Sequence, residues 1–222
     1  MEARTKKLLF YVLAVLMGGC VPIFSLHPLY TDRDLVFKKK LLGTWADVNN
    51  PEVTWEFKRA EEPGKAYRLV FCDDNGKKGS FDVHLVNLKG RFFLDVYPAG
   101  PPWDPEDPNK IEWYYNAAFL VPVHTFIKVE STEPMLRMRL SDHEGTKALL
   151  EAEPNAVDHA VIEETVILTA PTKQLQAFIL KHADNEADDE RIFQEHPVVL
   201  QRTAKAKQKP RQDKKSGDSA GK

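Results

Sequence analysis

From Leu41 onward, apolar and polar residues alternate in short runs. Val53, Trp55 and Phe57 alternate with Thr54, Glu56 and Lys58; Tyr67, Leu69 and Phe71 alternate with Arg68 and Val70. Phe81, Val83 and Leu85 alternate with Asp82 and His84, and Leu136, Met138 and Leu140 with Arg137 and Arg139. A period of two places one apolar face on a half-buried strand. Further strands are expected at Leu41–Trp45, Arg91–Tyr97, Phe119–Val121, His124–Ser131, Val166–Leu168 and Val198–Leu200. Between strands, Asn75-Gly76 accepts positive φ at low cost, as a tight hairpin requires, and Lys89-Gly90 supplies the next turn. Successive strands joined this way form an antiparallel up-and-down meander.

The period changes after Leu140. Ser141-Asp142-His143-Glu144 fits a capping box, with the Ser141 hydroxyl and the Glu144 carboxylate three positions apart. Lys147–Glu151 are good helix formers, and Pro154 stops the run. Thr169-Ala170-Pro171 starts a second helix, with Leu175, Phe178, Ile179 and His182 on one face. Ahead of the strands, Val21–Tyr30 is apolar and holds two prolines, which predicts an extended arm packed along the domain. Thr31–Phe37 forms a helical turn or continues the arm. Pro98–Asn109 carries five prolines with Gly100 and Trp103, and Trp113-Tyr114-Tyr115 follows. This loop is either an aromatic rim over a cavity mouth, with Trp103, Trp113 and Tyr115 as ligand contacts, or a loop pinned by its own aromatics.

The N-terminus sets the address. Lys6-Lys7, the apolar run Leu8–Met17 and Gly18-Gly19 before Cys20 have the layout of a secretory signal peptide. The run is shorter than the roughly 20 residues a spanning helix needs. Leu16-Met17-Gly18-Gly19-Cys20 resembles the lipobox of bacterial lipoproteins, although Met17 and Gly18 stand where Leu and Ala or Ser are commoner. That resemblance implies cleavage before Cys20 and acylation of its thiol and new α-amine, hence attachment to a lipid bilayer. By analogy with lipoprotein sorting, Val21 in place of Asp favours the outer membrane, facing the periplasm. The expected organisation is a signal peptide over 1–19, a lipid-anchored arm over 20–40, a β-barrel-like domain over 41–203 and a basic tail over 204–222. The tail is lysine-rich and nearly devoid of apolar residues, so disorder is expected there. With Cys20 acylated, Cys72 has no intrachain partner; its apolar neighbours suit a small buried thiol.

About eight strands, a helix after the last long strand and one more strand resemble the lipocalin-like barrels. Gly43-Thr44-Trp45 matches the short Gly-x-Trp signature of that family, whose second motif, Thr-Asp-Tyr, is absent. The resemblance implies a mainly β fold, an antiparallel up-and-down meander closing into a barrel, with two short helices near the C-terminal side. It implies that Trp45 closes the barrel floor beneath an arginine, for which Arg202 is the candidate. It also implies non-catalytic binding of a small apolar molecule. Some lipocalins are bacterial lipoproteins, in keeping with Cys20.

Composition and motifs narrow the rest. The 222 residues are 42% hydrophobic and 29% charged, which suits a globular domain. A net charge of −2 and the exported address argue against a nucleic-acid partner. There is no Gly-x-Ser-x-Gly elbow, His-Glu-x-x-His pair or phosphate loop, so no catalytic residue and no cofactor is expected. Asp142-His143-Glu144 is better explained by helix capping than as a catalytic triad. Asp73-Asp74-Asn75-Gly76 lacks the terminal Glu of a calcium loop. His84 and His124 fall on strands and could converge inside a barrel, short of the donors a metal requires. The functional expectation is a lipid-anchored module for a small apolar ligand. The alternatives are a structural or interaction lipoprotein with a filled barrel and an envelope protein as partner, and, behind it, an envelope enzyme.

Overall fold

The chain is described by a computed structural model over residues 22–61, 64–99, 121–184 and 191–203. The signal peptide, Cys20, Trp103, Trp113, Tyr115 and the tail 204–222 lie outside the described residues.

Eight strands form a closed barrel: β3 (Gly43–Asp47), β4 (Thr54–Arg59), β5 (Ala66–Cys72), β6 (Lys78–Leu88), β7 (Arg91–Pro98), β8 (Thr125–Ser131), β9 (Leu136–Leu140) and β12 (Val198–Arg202). All pairings are antiparallel, and β12 seals the ring by pairing with β3 through Arg202↔Trp45 and with β9 through Val198↔Met138. Closure leaves no barrel strand with an unpaired edge. The expected meander and barrel are therefore present, and the last strand in sequence closes the ring, as the late strand Val198–Leu200 was expected to do. A short strand β2 (Leu35–Val36) pairs with the far end of β6 beyond β5. The turn ahead of it, Thr31–Asp34, is held by the Asp34 carboxylate, which accepts from the Thr31 N–H at 2.8 Å. The turn chemistry is as read: Gly76 has φ +75°, and Lys89 and Gly90 have φ 52° and 88°.

The alternating apolar residues point inward. Trp45, Trp55, Phe57, Tyr67, Leu69, Val83, Leu85, Leu136 and Met138 share one buried cluster with Leu94, Val129 and Leu200. The complementary positions of β6 to β8, including Val86, Leu88, Phe93 and Phe126, face outward into a second core. That core is roofed by α1 (His143–Ala152), the hairpin β10 (His159–Ile162) and β11 (Thr165–Leu168), and α2 (Thr172–His182). The arm supplies β1 (Phe24–Ser25), which lies parallel to β11, giving a three-stranded sheet β1-β11-β10. In α2, Leu175, Phe178, Ile179 and His182 are the buried face that their spacing predicts.

Three local expectations are corrected. The cap of α1 is Asp142, whose side chain accepts from the Gly145 N–H, because Ser141 is recruited elsewhere: its Oγ accepts from the buried Ile23 N–H at 3.0 Å. Leu41 belongs to a 3-10 turn, Lys39–Leu41, and the strand starts at Gly43. Val121 lies outside any strand and is 71% exposed, while Phe119 and Leu120 lie outside the described residues. β10 escaped the pattern because its turn, at Glu163 with φ 57°, uses neither glycine nor asparagine.

Candidate functional site

The barrel floor is built from the Gly-x-Trp stretch. Trp45 is 1% exposed, and its indole N–H donates to the Leu41 carbonyl at 2.9 Å. The Arg202 guanidinium lies over the indole, 4.3 Å from the ring centre, and donates to the carbonyls of Leu42 and Lys40. Gly43, at φ +121°, lets Arg202 come this close, since a Cβ there would sit 2.6 Å from the guanidinium nitrogen. Sequence placed Trp45 and Arg202 correctly. A shallow cavity of about 390 Å³ beneath the floor is lined by Trp45, Arg202 and the turn Thr132–Pro134.

Above the floor, the interior is full. Val83, Leu85, Leu94, Leu136, Met138 and Leu200 have no accessible surface, so no water-sized void touches them. An eight-stranded barrel has just enough width for side chains or one small ligand. Here Trp55 and Phe71 meet edge to face at 5.3 Å and occupy the end opposite the floor. That is also the end at which β7 leaves the barrel toward the proline-rich segment.

On the outer wall, β6, β7 and β8 bring together a cluster of titratable groups. Asp95 is completely buried, and its carboxylate accepts from the Leu29 N–H at 2.7 Å and pairs with His124 Nδ1 at 2.6 Å. His84 stands directly across the β6–β7 ladder from Asp95, with the Tyr30 ring 4.5 Å from its own. Tyr97 lies against His124 at 4.6 Å. Burial, reinforced by Asp95, pushes the Tyr30 phenol up to about 12. Burial also pushes His84 below its ordinary value, against the pull of Asp95 and Asp82. The two histidines do converge, but outside the barrel rather than inside it, because both occupy the outward phase of the β alternation. No group of three potential metal ligands occurs among the described residues.

The cluster fastens the arm. The Ser25 N–H donates to the His124 carbonyl at 2.9 Å and the His124 N–H donates back at 2.8 Å. Thr172 and Gln176 of α2 donate to the carbonyls of Pro28 and Leu29, both at 2.9 Å. Asp95 was not singled out by sequence reasoning. The available signal was a lone acid at an apolar-flanked position, Leu94-Asp95-Val96, in a strand whose central residues Phe93, Leu94 and Val96 are buried.

A second surface groove, about 490 Å³, lies between β8, β9 and the end of α2, with Lys128, Arg139, Asp184 and Glu195 among its lining. Lys128 donates to the Ala183 carbonyl and to Asp184, and Arg91 donates to the Leu180 carbonyl. Cations at a helix C-terminus complement its dipole. The Lys128 hydrogen bond holds Asp184 below the usual carboxylate range, partly offset by desolvation.

Cys72 ends β5 as a half-buried thiol, and no disulfide occurs among the described residues. His143, the middle of the triad-like run, is buried and accepts from the Val166 N–H at 3.1 Å, which is a structural duty. No described helix is long and apolar enough to cross a membrane. No protein-family model matches the chain, and neither a curated protein nor a solved structure does. Fold and site together define the class: a closed eight-stranded antiparallel β-barrel with a second core on one outer wall, onto which its own N-terminal arm is strapped.

Proposed function

We propose that the chain is an exported lipoprotein, held by acylated Cys20 in the cell envelope on the periplasmic face of the outer membrane. Its barrel serves there as a rigid, non-catalytic scaffold for contacts with an envelope protein. The observation that carries the scaffold reading is the packed interior: Val83, Leu85, Leu94, Leu136, Met138 and Leu200, at the middle of any ligand cavity, have no accessible surface. A small apolar ligand would have to displace Trp55, Phe71 or their neighbours from the end of the barrel opposite the floor. The polar cluster supports the same reading, since both Asp95 carboxylate oxygens are engaged in holding the arm.

An environment-sensitive apolar dye added to the folded chain tests the scaffold. No saturable enhancement is expected; a saturable one-to-one enhancement, lost on filling the Trp55–Phe71 end, would replace the scaffold with the ligand-binding reading. Intact mass of the membrane fraction tests the anchor separately. A chain starting at Cys20 with two or three acyl groups is expected, because one acyl chain alone binds membranes only marginally.

A further inference from the structure

The three-stranded sheet has an inner and an outer face. Ser25, Val166 and Leu168 point inward and are fully buried. The register puts Phe24 beside Ile167, Ile167 opposite Ala160, and Thr165 opposite Ile162, so these five side chains share the outer face. Four of the five are apolar, and Leu26 continues the face beyond β1. A strand such as Thr165-Val166-Ile167-Leu168, apolar at nearly every position, has the composition of a strand covered on both sides. Here the outer side is partly open: Phe24, Ala160 and Ile167 are half-buried, while Ile162 is 59% exposed and Leu26 43%. Exposed large apolar side chains gather around this sheet. Ile162 and, beyond β1, Leu26 lie on the outer face, Val161 pairs with Val166 on the other face near the hairpin tip, and Val121 lies three residues before the bridge from His124 to Ser25; only Met135 is elsewhere among the described residues.

We infer that this outer face lies against the bilayer in which Cys20 is anchored. The inference rests on the acylation of Cys20 proposed above. Chain geometry supplies the reason. Phe24 is four steps along the chain from Cys20, and an extended chain advances at most about 3.6 Å per residue, so Phe24 stays within roughly 14 Å of the anchored cysteine. There is no slack to add, because Ile23 is completely buried and its N–H is bonded to Ser141. The parallel register of β1 with β11 carries the chain toward Cys20 along the same direction in which β11 runs back to Thr165 and the Glu163–Glu164 turn. The anchor and the open apolar face are therefore at the same place on the molecule. Apolar faces seat about 5–10 Å into the headgroup boundary, within that reach. At the rim Glu164 is paired with Lys147 at 2.8 Å, so Glu163 is the charge that disfavours anionic lipid and suits a zwitterionic surface.

The test uses the full acylated chain in phosphatidylcholine vesicles, with a nitroxide on Ile162→Cys in a Cys72→Ser background. A matched label on Lys58→Cys reports β4, across the barrel from β8. Collision rates with oxygen and with a water-soluble nickel chelate locate each label. The expected result is an oxygen-to-nickel ratio several-fold higher at position 162 than at 58. Equal ratios on a chain shown by mass to be acylated would overturn the docking and leave the anchor intact. Shielding of position 162 from both probes would also overturn it, by showing that protein covers the face. A chain without acyl groups, with both labels in water, would remove anchor and docking together. Amide exchange on the unlabelled chain guards against a label that disturbs the fold: several-fold slower exchange over 159–167 in vesicles than in detergent, with 54–59 unchanged, is expected, and no difference would count against docking.

Discussion

The barrel interior and the outer wall use the same three strands, β6 to β8, for opposite ends. Inward, the strands present Val83, Leu85, Leu94 and Ile127 to a mainly apolar core that also holds the Trp45 indole N–H and the Tyr67 hydroxyl. That hydroxyl is satisfied by accepting from the Lys38 N–H. Outward, they present Val86 and Phe93, but also His84, Asp95 and, just before β8, His124. The interior is complete once the ring closes. The outer wall is completed only by importing the arm, two helices and a hairpin, and it needs a buried carboxylate to hold the arm in place. Interior packing is thus a matter of shape and volume, whereas the outer layer depends on particular hydrogen bonds. Nondirectional burial tolerates exchange of one apolar residue for another, and a buried polar contact does not.

The two largest expected effects test the interior and then the outer layer. Trp45→Ala removes the floor ring and strands Arg202, and should cost about 3–5 kcal/mol in denaturant unfolding, as large core truncations do. Asp95→Ala tests the outer layer. It leaves the Leu29 N–H and His124 without their acceptor, and should cost about 2–6 kcal/mol, about 1–3 kcal/mol for each orphaned donor. The two losses should differ in kind: amide exchange should rise across the barrel in Trp45→Ala but chiefly over 23–30 in Asp95→Ala. Uniform loss of barrel protection in both would mean that the two cores unfold as one unit. Ser141→Ala removes the acceptor of the Ile23 N–H and a 3.3 Å contact with the Thr125 hydroxyl, and about 1–3 kcal/mol is expected with the same localised exchange. Asp142→Ala removes the α1 cap and should cost about 1 kcal/mol, which a thermal melt resolves.

The smallest effect is one of pH. Burial holds folded His84 below its ordinary 6.5, so between the two values the unfolded chain binds a proton that the fold does not. Its contribution is fully present above about pH 6.5 and declines as pH falls from there toward the lower folded value. His84→Gln should flatten this limb of the stability–pH curve, and an unchanged limb would assign it to other groups.

Much of the barrel was legible in the chain. Period-two alternation selected the inward set Trp55, Phe57, Tyr67, Leu69, Leu136 and Met138, because a strand with one wet face and one dry face must write that difference into adjacent residues. Asn75-Gly76 and Lys89-Gly90 marked turns because their positive φ is costly for most side chains. Gly43, Trp45 and Arg202 could be named as the floor, since a short signature with a defined packing role survives without its surroundings. Tertiary structure alone decided the remainder. The register with which the last strand closes the ring depends on a pairing across about 155 residues, between β3 and β12, and no local pattern encodes it. The side on which His84 and His124 meet follows from barrel curvature, which turns one phase of the alternation inward and the other out. Ser141 left its expected cap for Ile23, and Asp95 became the fastening of the arm, because a buried N–H takes the nearest acceptor in space, however far away that acceptor lies in sequence.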